Sequence, residues 1–282
     1  MPWDWTTAQR VLLFISAALY AASFAALLLS RGKRSYVELF PFRRLLLFGL
    51  LSHVAFALFR AWCVGRLPFG DRTELLSWFA MSCVIICLAG TSWLRSRMVI
   101  GSGVLCAFVV TVALGIWYDP RALPYVDVLR GPLTTWYGFA TPLAYAAGFL
   151  AFAAQFRAVL ASARRTSLVD NDFFQVSENS MNALSGALTR LCYPLLLSGL
   201  LAFSLGCLDA VSLGWFWQRS TAAQLFILAC YSVYLHLGVS KPTFRGRLLL
   251  AQFAAFSGIV VSVLSFDAPH GLLRGVGLGI LL

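Results

Sequence analysis

Charge is what this sequence lacks most. Only 12% of its 282 residues are Asp, Glu, Lys or Arg, and a soluble domain carries about twice that share. Acids are the scarcer sign, with 11 Asp and Glu against 22 Lys and Arg. Long polar stretches are missing too. None exceeds roughly 30 residues, too short for an independent core, so no soluble domain is expected. The seven cysteines include no C-x-x-C or C-x-x-C-H spacing, which removes a thioredoxin-like centre and covalent haem attachment. They read instead as small packing residues at the ends of, or within, apolar runs. No phosphate-binding glycine loop occurs, since "RGVGLGILL" has G-x-G spacing without a strand–helix context. No acid lies near His53 in sequence, so a Ser–His–Asp arrangement is not suggested.

What remains is apolar. Hydrophobic residues make up 60% of the chain, and the mean hydropathy is +0.80. A spanning helix needs about 20 mostly apolar residues. Eight such runs are present, at roughly 10–30, 45–64, 75–94, 98–117, 135–160, 191–213, 222–239 and 248–265. They are too long for strands and lack period-2 alternation. The sequence therefore predicts an all-α integral membrane protein in the lipid bilayer, a single domain over 1–282. The first run has no small-residue cleavage site and reads as a retained helix.

The net charge of +11 does not point to nucleic acid, because the bases fall in short clusters between apolar runs. Alternate connections hold most of them: Arg31, Lys33, Arg34, Arg43 and Arg44; Arg95 and Arg97; Arg157, Arg164, Arg165 and Arg190; Lys241, Arg245 and Arg247. This bias places the basic loops in the cytoplasm and both termini outside. Segment 161–190 is then the one sizeable cytoplasmic connection, a surface loop or short amphipathic helix. Neither an internal repeat nor an inverted pair of broken helices is visible, which argues against a transporter.

Several residues stand out on this background. Trp215, Trp217, Gln218 and Arg219 form a tight aromatic–polar group on the outer side. It reads either as part of an interfacial aromatic belt or as a shelf for a planar ligand. Three histidines are present. His53 and His236 fall within runs two and seven, where ionisable groups are costly and suggest function. His270 follows run eight on the outer side. Imidazole is a common axial ligand of haem iron, and two neutral histidines from facing helices would hold one haem. The alternative is that each bonds a neighbouring helix. Arg60, seven residues after His53, projects from nearly the same face about 10 Å further along. It is placed to meet a haem propionate or to snorkel to the interface. Glu74 and Asp71 read as a cation site at the outer face or as caps in the first turn of helix three, and Asp209 is placed to pair with Arg219.

From about His53 to Gly271 the chain resembles the transmembrane core of the cytochrome c assembly family, which includes CcsA-type haem-handling proteins and shorter HemX-like members. "SHVAFALFRAWCVGRLPFGDRTELLSWFA" resembles the family's early His, external G-x-x-P turn and following Glu, here His53, Gly65, Pro68 and Glu74. "TRLCYPLLLSGLLAFSLGCL" resembles the helix before the tryptophan motif. "SVYLHL" followed by "RGR" resembles the Y-x-x-Y-L-H helix and its cytoplasmic loop.

The resemblance implies haem b held by His53 and His236, with Trp215, Trp217, Gln218 and His270 on the external haem-presenting side. It also implies a membrane partner protein of the cytochrome c assembly machinery and a place in the bacterial inner membrane. The implied role is haem delivery or assembly rather than catalysis, and the alternative is a scaffold or regulator acting through protein contacts. The chain departs from the family pattern in two places. Gln218 stands where an acidic residue is expected, and no His precedes helix five, where Thr135 and Tyr137 lie instead.

Overall fold

The structure, a computed structural model, describes residues 5–30, 40–65, 67, 71–90, 96–118, 131–164, 178–207, 219–240 and 245–265. These form eight helices and, among the described residues, no strand: α1 Trp5–Leu29, α2 Phe40–Val64, α3 Arg72–Gly90, α4 Arg97–Ile116, α5 Pro132–Arg164, α6 Glu178–Cys207, α7 Arg219–Ser240 and α8 Arg245–Leu264. All eight are long and apolar enough to cross a membrane. The chain is a multi-pass membrane protein, as the composition requires.

The helix ends follow local chemistry. Asp71 Oδ1 accepts from Glu74 N at 2.7 Å while Asp71 N donates to Glu74 Oε2 at 3.3 Å. This reciprocal capping box starts α3, as the placement of the two acids suggested. Ser96 caps α4, its Oγ accepting from Val99 N. Pro132 opens α5, where its missing N–H costs nothing. Gly65 follows α2 with φ +68, a left-handed turn residue of the kind that stops a helix.

The connection read as 161–190 is shorter in the structure, because α5 continues to Arg164 and α6 begins at Glu178. Residues 178–190 are not connection but the first turns of α6. Met181, Leu184, Ser185, Leu188 and Thr189 recur at helical spacing and are all buried. That buried stripe outweighs the polar character of the segment as a whole.

Successive helices run antiparallel in two groups. α1 packs on α2 and α4, and α3 on α2 and α4; α6 packs on α5 and α7, and α8 on α7 and α5. The groups meet where α5 lies against α3 and α4. Large apolar side chains such as Phe48, Leu58, Phe253 and Leu264 are exposed, which suits lipid and not water. Trp5, Trp62, Trp117 and Trp136 are also exposed. They sit at the start of α1, the end of α2, the end of α4 and the start of α5, all at one end of the bundle. Such a girdle marks headgroup depth. This end is called the near end below and the opposite one the far end.

Candidate functional site

The most elaborate buried chemistry of the first group lies on one face of α2. Leu46, His53 and Arg60 repeat every seven residues on that face and are all buried. Gly49 lets α1 close in, since a Cβ there would sit 2.7 Å from the Tyr20 ring. As a result Tyr20 Oη reaches His53 Nδ1 at 3.3 Å. On the other side of the ring, His53 Nε2 lies 3.0 Å from Ser77 Oγ on α3. A neutral imidazole has one N–H donor and one acceptor nitrogen. Two hydroxyls, each able to give or take, satisfy both. The Tyr20 and Phe56 rings pack at 6.0 Å from the imidazole centre.

Two turns further on, Arg60 is 1% exposed and is held on three sides. Its Nε donates to Glu74 Oε1 at 3.2 Å, Nη2 to Asp71 Oδ2 at 2.9 Å, and Nη1 to Tyr118 Oη at 2.9 Å. Its guanidinium carbon also lies 5.5 Å from the Tyr118 ring centre. The capping box of α3 thus doubles as the counter-charge of α2. Arg60 neither snorkels to the interface nor faces an open site where a propionate would bind. Burial, then the Glu74 carboxylate, push the Asp71 carboxyl above the usual range, and the backbone hydrogen bond at Glu74 and then Arg60 pull it back only in part.

His236 lies elsewhere. It is exposed on the far half of α7, a helix that packs on α8 and α6, while α2 packs on α1 and α3. An iron between these two imidazoles would have to touch both. One is sealed inside the first group with its nitrogens occupied, and the other faces out of the second. The residues present therefore do not fit a haem shared by His53 and His236. Among the described residues no group of three or more His, Cys, Asp or Glu is placed to hold a metal ion. His270, Trp215, Trp217, Gln218 and Asp209 lie outside the described residues.

The second group holds polar chemistry that the sequence reading did not single out. Near its near end, Gln224 Nε2 donates to Tyr137 Oη at 2.8 Å and to Tyr145 Oη at 3.1 Å, and Tyr145 Oη bonds Ser262 Oγ. Toward the far end, Tyr234 Oη lies 3.2 Å from Gln155 Oε1 and 2.9 Å from Ser185 Oγ. There Gln252 Nε2 donates to Thr189 Oγ1 at 2.7 Å. The available signal was a glutamine inside each of three apolar runs, Gln155, Gln224 and Gln252.

No protein-family model matches the chain, and no curated protein matches it.

Proposed function

We propose that the chain is a multi-pass membrane protein of haem or cytochrome biogenesis that works through protein contacts, as a scaffold or regulator. Its biogenesis setting is supported by the resemblance of three stretches, above all "SVYLHL" with "RGR". The observation that favours contacts over haem carriage is the state of His53, whose two ring nitrogens already face Tyr20 and Ser77. The basic far end would face the cytoplasm of a bacterial inner membrane, and the partner would be a membrane protein of the cytochrome assembly machinery. Segment 165–177, between α5 and α6, is the proposed docking segment. Chain purified in mild detergent after expression with excess haem should be colourless. A tagged chain should retain its partner, and replacing 165–177 by a neutral linker should release it without lowering the melting temperature.

A second reading is favoured by one observation, an intramembrane imidazole with a guanidinium two turns away on the same buried seam. In that reading His53 takes haem b once Tyr20 and Ser77 give way, and Arg60 would meet a propionate only on release from Asp71 and Glu74. A Soret band lost in His53→Ala and kept in His236→Ala would establish it and displace the first.

A further inference from the structure

The polar groups of the second helix group follow one line. Down α5, Tyr137, Tyr145, the carbonyl of Ala151 and Gln155 meet polar partners on other helices or side chains, and these four share one helical stripe. From Tyr137 to Gln155 the stripe runs about 27 Å at the rise of an α-helix, against roughly 30 Å of bilayer hydrocarbon. Gln224, Tyr231 and Tyr234 line it from α7, Ser185, Thr189 and Cys192 from α6, and Gln252 and Ser262 from α8.

Three buried atoms on this line have no hydrogen-bond partner: Thr141 Oγ1, Tyr231 Oη and Gln252 Oε1. The three residues are 1%, 0% and 0% exposed. Thr141 sits one turn from both Tyr137 and Tyr145, inside the near network. Gln252 belongs to the far network. Tyr231 lies between them, and its Oη approaches α5 closely because residue 148 is glycine, since a Cβ at Gly148 would collide with it. The Cys192 thiol beside it is a weak partner, which does not replace a full hydrogen bond to oxygen or nitrogen. A buried polar atom left bare costs on the order of 1–3 kcal/mol. Three at three depths of one seam is not what interhelical adhesion alone produces, because adhesion requires each group to be paired.

We infer that this seam is a water-binding column, in which bound waters satisfy Thr141 Oγ1, Tyr231 Oη and Gln252 Oε1 and join the near and far networks into one hydrogen-bonded file across the bundle. Buried waters take this role where polar atoms lack protein partners. The named members are hydroxyls, amides and a thiol, all neutral. They can replace the hydrogen bonds of water but not the hydration of an ion. The inference stands apart from the haem and scaffold readings.

Radiolytic footprinting of the chain in lipid nanodiscs tests it, since radicals born from bound water oxidise the side chains beside that water. Tyr145, Tyr231 and Cys192 should be oxidised well above Met81 and Cys83, which are equally buried but lie in the first group. In Tyr231→Phe, which keeps the ring, oxidation of Cys192 should fall to the Met81 level. Gln252→Leu should do the same for Tyr234 while leaving Tyr145 labelled. If Tyr145, Tyr231 and Cys192 are no more reactive than Met81, the seam is dry adhesion and the inference is overturned.

Discussion

A guanidinium taken out of water costs several kcal/mol unless its donors are met. Arg60 meets Asp71, Glu74 and Tyr118. Removing one partner should therefore hurt more than removing the cluster. Arg60→Leu leaves two carboxylates together and should lower stability by about 3–5 kcal/mol, read as a large drop in melting temperature in detergent. The triple variant Arg60→Leu, Asp71→Asn, Glu74→Gln should recover part of that loss. A pH effect follows from the same group. The folded chain holds the Asp71 proton more tightly than the unfolded chain, because burial and then Glu74 raise its pKa. Its contribution is complete below the ordinary carboxylate range and is lost as pH rises through the raised value. The melting temperature should fall over that interval, and Asp71→Asn should flatten the fall. His53 and Arg60 were legible in the sequence as ionisable groups in an apolar run. Their partners were not, because Tyr20, Ser77 and Tyr118 become neighbours only when α1, α3 and α4 close around α2.

Close approach sets the contacts between elements. Gly49→Val would push α1 from α2 at Tyr20 and disturb the Tyr20–His53 bond, whereas Tyr20→Phe removes the bond alone. The glycine variant should destabilise by more than the phenylalanine variant, whose cost is about 1 kcal/mol, and chemical denaturation of the two side by side checks the order. All eight elements could be read from run length, because lipid fixes how long an apolar helix must be. Their ends could not. α2 begins at Phe40, ahead of Arg43 and Arg44, and α6 begins at Glu178. Charged first turns lie beyond the hydrocarbon, where apolar content no longer reports on helix formation. Packing of Leu184 and Leu188, not hydropathy, extends α6 backwards.

At the scale of the molecule, the four tryptophans exposed at the near end among the described residues fix its depth. Lipids brominated near the headgroup should quench their emission more than lipids brominated at the chain ends. Loss of that difference in the chain with Trp5, Trp62, Trp117 and Trp136 replaced by Phe would confirm the assignment. The charge pattern also orients the molecule on paper, and a membrane-impermeant thiol reagent decides it. Cys63, exposed at the near end, should react in intact spheroplasts if that end faces outward. The seam of the second group was less legible than the first. Glutamine and tyrosine inside apolar runs carry no charge to flag them, and their alignment depends on four helices meeting.

α5 and α6 have 33 and 30 residues, about 50 and 45 Å of helix, and they share the broadest helix contact in the bundle. Each is longer than the roughly 30 Å of bilayer hydrocarbon, so the pair continues past the hydrocarbon as a two-helix post at the far end. Because the two helices are held together along their flanks, the chain can be cut between them. Two pieces, 1–170 and 171–282, produced together in one cell, should find each other and co-purify as a single unit.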